Sequence, residues 1–124
     1  MRKIRLFMLL LLAASFRLTA QVTCDPVFPS PTDEVTIYFE ATQGNAALAN
    51  LGGTVYMHTG VITTQSNSPS DWKHVPTTWG VADAVGVMTL VSPDLYKKTF
   101  PINTFYGVPA GETVLKMAFV FRNQ

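Results

Sequence analysis

Residues 33–41 read Asp33-Glu34-Val35-Thr36-Ile37-Tyr38-Phe39-Glu40-Ala41, and the period of two within them decides the fold class. Val35, Ile37 and Phe39 fall on one side, while Thr36, Tyr38 and Glu40 fall on the other. That alternation belongs to a strand with one buried face, because an amphipathic helix spaces its apolar residues three and four apart. Downstream the period returns at Thr54–Thr59, where Val55 and Met57 share one side and Tyr56 and His58 the other. Asp71–Val75 follows a polar loop, and Gly86–Val91 and Leu95–Phe100 flank the turn signal Ser92-Pro93-Asp94. Thr113–Phe121 is the most apolar run: Leu115, Met117, Phe119 and Phe121 lie on one face, and Val114, Ala118 and Val120 on the other. Only Lys116 interrupts the second face, which predicts a strand central in its sheet.

Six short strands punctuated by turn residues, with no amphipathic helix between them, predict an all-β fold: an Ig-like antiparallel β-sandwich. Between the first two strands, Ala46–Leu51 has room for a single helical turn before Gly52-Gly53 ends it. The chain stops at Arg122-Asn123-Gln124, just where a sandwich ordinarily adds one more strand. The expectation for residues 33–124 is therefore a sandwich missing its last strand, either a truncated product or the front module of a longer protein.

Upstream, residues 21–32 form an extended, proline-rich lead-in, since Pro26, Pro29 and Pro31 forbid both helix and central strand. Residues 1–20 have the make-up of a cleaved export signal: Arg2, Lys3 and Arg5, an apolar run from Leu6 to Phe16, then Leu18-Thr19-Ala20. The apolar run is shorter than the roughly 20 residues a bilayer span requires, and Arg17 closes it. Removing the signal takes four of the nine basic residues and none of the eight acidic ones, leaving a net charge of −3. A secreted or cell-surface location follows, with no membrane association after cleavage. Nucleic acid is excluded as a partner, because it requires a basic stripe that displaces counterions. Cys24 is the only cysteine, so no internal disulfide forms, and the residues before it lack the pattern of a lipidation site.

Chemistry concentrates between Thr54 and Gly80, which hold both histidines, both tryptophans and Tyr56. If Val55 and Met57 point inward, Tyr56 and His58 stand on the outer face. Trp72, Trp79, Tyr56 and His58, with Asp71 and Lys73 beside them, then supply flat aromatic plates together with a few donors and acceptors. A pyranose presents the complementary surface, apolar C–H faces rimmed by hydroxyls. No nucleophile elbow, metalloprotease motif or phosphate loop occurs, and the carboxylates show no signature pairing, so no enzyme activity and no cofactor are expected. His58, His74 and Asp71 are acceptable zinc ligands by type, but two histidines in a β loop arise readily by chance.

The succession VYMHTG, DWKHV, Trp79-Gly80, Met88-Thr89, Tyr96 and LKMAFVFRN resembles the starch-binding β-sandwich modules of carbohydrate-binding families 25 and 26. It is more similar still to an Ig-like module that precedes the catalytic domain in secreted amylase-type proteins of the Bacteroidetes. The likeness spans residues 33–123 and rests on the order of short motifs. It implies a non-catalytic α-glucan-binding module, covalently linked to a catalytic domain, with His58 and Trp72 at sugar-contacting positions. The family's further tryptophan follows the FVF-N strand, beyond Gln124. The competing expectation is an Ig-like spacer that binds nothing and keeps both tryptophans buried.

Overall fold

The computed structural model describes residues 20–124. The expected signal therefore lies outside the described residues, apart from Ala20. Among the described residues six strands run in the order β1 (Val22–Asp25), β2 (Glu34–Glu40), β3 (Tyr56–Thr63), β4 (Thr89–Ser92), β5 (Leu95–Pro101) and β6 (Val114–Arg122). They form two antiparallel sheets, one ordered β1-β2-β5-β4 and the other made of β3 and β6. The chain is thus a β-sandwich, as the period of two predicts. No helix among the described residues is long and apolar enough to cross a membrane.

The inward row of β2 builds the core, with Val35, Ile37 and Phe39 buried and Ala41 continuing the row beyond the strand end. Val55, Met57 and Val61 face them from the second sheet. Phe39 stacks on Phe121 at 4.2 Å between ring centres and binds one sheet to the other. Such a pair contributes about 0.5–1.5 kcal/mol beyond the burial of its area.

Two expectations about strand placement require correction. Asp71–Val75 is not a strand; its backbone meets β3 at the isolated bridge between Lys73 and Val61. His74 has a φ of 49°, which turns the chain out of extended geometry before Pro76 can continue it. β6 is not central either, because among the described residues it pairs with β3 alone. Of its apolar outward positions, Ala118 is half-buried and Val120 is exposed. Leu115, expected on the core face, is 59% exposed. A register shift opposite Ile62 and Thr63 pairs Thr63 with Val114, so Val114 packs against the core in its place.

Within the lead-in, Val22–Asp25 is an edge strand that ends at the first proline. Residues 46–51 form hydrogen-bonded turns, such as Ala49 N–H to Ala46 O, without becoming a helix. Sequence periodicity overlooks one short helix, α1 (Ile102–Tyr106), which plugs one end of the sandwich. Gly107 stops it at a φ of 65° and returns its N–H to Asn103 and Thr104. The buried Tyr106 hydroxyl lies 2.7 Å from the Thr59 hydroxyl, and burial pushes its proton affinity well above the ordinary tyrosine range.

Candidate functional site

After β3 the chain crosses the outer face of its own strand. Residues 65–88 leave over the strand end, touch the β3 edge at Lys73, swing outward, and return as Val87 bridges to Tyr56. A short 3-10 turn, Ala84–Gly86, presses on β3 so closely that a Cβ at Gly86 would sit 2.7 Å from the Met57 carbonyl oxygen. Met88 N–H then donates to Val55 O at 3.0 Å. This crossing segment supplies both tryptophans.

Three of the four expected site residues come together. His58 lies 5.9 Å from Trp72 with the rings 28° from parallel, and 5.2 Å from Trp79 in an edge-on arrangement. Trp79 is 64% exposed, whereas Trp72 and His58 are half-buried. Gly60 makes the floor: a Cβ there would stand 3.2 Å from Trp72 Cβ and 3.1 Å from its Cε3. Glycine two residues along from His58 on the same face thus lets an indole lie against the strand.

Tyr56 is the exception. It sits on the expected outer face yet is only 8% exposed, because residues 81–87 cover it. Its hydroxyl accepts from Gln124 Nε2 at 3.2 Å. The parity reading anticipates the face correctly, but not the second layer laid over part of it. Tyr56 therefore underlies the cluster and adds no exposed plate.

Polar contacts set the remaining geometry. Thr77 Oγ1 accepts a long hydrogen bond from the Thr59 N–H (3.4 Å) and lies 2.8 Å from His58 Nδ1. A hydroxyl carries one proton and two acceptor sites, so the Thr77–His58 contact suits either tautomer of the ring. Nε2 of the same ring has no hydrogen-bond partner among the described residues. The Trp79 loop is tied at both ends: Asp83 accepts from the Thr78 N–H, and Arg122 donates to Val81 O at 2.9 Å.

The Trp72 loop is bound internally. Asp71 accepts from the Asn67 N–H at 2.9 Å and pairs with Lys73 at 3.2 Å, which together hold its carboxyl below the ordinary aspartate range. Ser66 links the same turn to β3 by accepting from the Thr63 N–H and donating to Asp71 O. Farther along, His74 Nε2 donates to Glu112 Oε1 at 2.9 Å, and the Thr63 hydroxyl donates to the same oxygen at 2.6 Å. The Thr63 and His74 donors keep the Glu112 carboxyl below the ordinary glutamate range.

The two histidines therefore hold different partners, and no group of three or more metal-ligating side chains gathers among the described residues. Sequence reasoning misses Thr77, Asp83, Arg122 and Glu112, since each acts across 5 to 49 residues without a local motif. Gly60 was detectable, because a glycine inside a strand marks close approach of another group. A comparison of the chain with protein-family models and with curated proteins finds no match in either.

Proposed function

We propose that this domain is a non-catalytic binding module for a neutral polysaccharide of the α-glucan class, with Trp79 and Trp72 as stacking plates and His58 between them as the hydrogen-bonding group. One observation carries the reading: two indoles flank an imidazole whose Nε2 is unpartnered among the described residues, on the outer face of β3 and away from the core. A sugar face stacked on an indole covers about 80–100 Å² of apolar surface, which stabilises the complex by roughly 2–2.5 kcal/mol. Two plates, less the cost of association, fit dissociation constants from about micromolar to millimolar.

The carboxylates nearest the rings serve structure: Asp71 holds its own loop and Asp83 holds the Trp79 loop. In this reading the module carries no catalytic pair and needs no cofactor. It leaves the cell behind the signal of residues 1–20 and serves a catalytic domain on the same polypeptide. The choice of α-glucan rests on the motif resemblance; the aromatic geometry itself asks only for a neutral pyranose surface.

The packing of Trp72 on Gly60 and Val75 favours a second reading, a spacer in which that indole merely seals the crossing segment to β3. Isothermal titration with amylose and with a linear β-glucan, on the wild type and on Trp79→Ala, separates the two. The binding module retains amylose and loses it on Trp79→Ala. No heat with either glycan supports the spacer, and equal binding of both glycans removes the α-glucan assignment.

A further inference from the structure

The two sheets are unequal, and the imbalance leaves one side of the sandwich open. β3 has its second edge guarded by Lys73 and Val87, but the second edge of β6 pairs with no strand among the described residues. Facing it across the gap is β1, whose outer edge is likewise without a strand among the described residues. Two clefts lie end to end between them. One, of about 400 Å³, runs between Val22 and Phe39 on one wall and Phe119 and Phe121 on the other. The second, of about 290 Å³, lies between Cys24 and Phe28 and the start of β6 at Val114–Met117. Here residues that pack on the core remain only half-buried, namely Val22, Cys24, Met117, Phe119 and Phe121, and Phe28 at the rim is 94% exposed.

We propose that this groove is a docking site for an extended polypeptide segment of a partner, which adds a strand to β6. Strand addition requires a row of free backbone N–H and C=O groups beside pockets for alternate side chains, and the groove offers both. At about 3.4 Å per residue, the nine residues of β6 present an edge of roughly 30 Å. A hydrocarbon ligand would fill the clefts but cover the edge groups without bonding them.

Charge narrows the partner. Lys116 and Arg122 stand on the outward side of β6, six positions apart, with Met117, Phe119 and Phe121 between them on the inward side. A second copy fits poorly: the antiparallel register that brings all three inward residues of both copies together sets Lys116 opposite Arg122. Like charges directly opposite are unfavourable. The matching segment has apolar residues at alternate positions, an acidic residue facing the exposed Lys116, and a second at the end near Arg122, whose guanidinium also donates to Val81 O.

The test uses the full chain and a blocked heptapeptide, Glu-Val-Thr-Val-Thr-Val-Glu, which reads the same in both directions and so fits either strand orientation. Titration followed by amide NMR is expected to shift and protect β6 amides around Phe119, with the glutamate peptide binding at least tenfold tighter than its lysine counterpart. Lys116→Glu, an exposed change compatible with folding, is expected to reduce that preference or reverse it. N-methylation of the central valine, which removes an edge hydrogen bond, is expected to abolish binding. Four results would overturn the proposal: no binding at millimolar peptide, equal binding of the two charge forms, a concentration-dependent dimer that protects the same amides, or protection of those amides by residues that follow Gln124 in a longer form of the chain.

Discussion

Two aromatic clusters of similar ring spacing sit on opposite sides of β3, and they differ in what happens to their polar atoms. Inside, Phe100, Phe105 and Tyr106 meet at 4.2–5.7 Å around the end plug. The one hydroxyl among them is bonded to Thr59, which in turn donates to Ala118 O at 2.7 Å. Outside, His58, Trp72 and Trp79 meet at 5.2–5.9 Å, but the imidazole Nε2 has no hydrogen-bond partner among the described residues. Ring proximity alone therefore does not distinguish a core from a recognition surface. The distinction lies in hydrogen-bond closure, since burial tolerates few unpaired polar groups whereas a binding face retains them.

The sharpest way to break this comparison is to damage the core and ask whether the outer face notices. Phe39→Ala removes the ring that stacks on Phe121 and is expected to cost about 3–5 kcal/mol of stability in urea denaturation. If Phe39→Ala lowers stability by less than about 1 kcal/mol, the two sheets are not held together as described.

Trp79→Ala is the converse change. It is expected to weaken amylose binding by roughly 2–2.5 kcal/mol, some thirty- to seventyfold, while moving the urea midpoint little because the ring is mostly exposed. Calorimetry and denaturation on one preparation check both halves. An unfolded Trp79→Ala protein would make the outer cluster a second core.

Tyr106→Phe probes hydrogen-bond closure inside. It leaves Thr59 bonded to Ala118 O, so the expected loss is about 0.5–1.5 kcal/mol of stability with no change in glycan affinity.

The smallest effect concerns pH. Glu112 is held ionised in the folded state, so its contribution is fully present above the unfolded glutamate value of about 4.3 and is lost as pH falls through the lower folded value. Glu112→Gln is expected to flatten stability against pH below about pH 4.3. Thermal midpoints measured from pH 3 to 7 test the sign. A steeper acid loss in the variant would contradict the assignment.

How far the chain could be read in advance depended on the range of the interaction involved. Alternation within β2 and at the start of β3 is local and survives in the fold, with Val35, Ile37, Phe39, Val55 and Met57 all buried. Position 115 was misread because a register shift depends on the partner strand, which no single run of residues encodes. The lead-in strand was hidden by the prolines that follow it, and α1 by being shorter than a helical period can show.

From the sequence alone came the all-β class, the inward rows of β2 and of the start of β3, and the concentration of indole and imidazole between Thr54 and Gly80. Only the tertiary structure decided which of those rings remain in water, because that depends on the crossing segment. It lays Trp72 on Gly60, covers Tyr56, and ties Trp79 outward through Asp83 and Arg122. A period of two specifies the side of a sheet on which a side chain stands. Whether another layer then covers that side is set by contacts between residues distant in the chain.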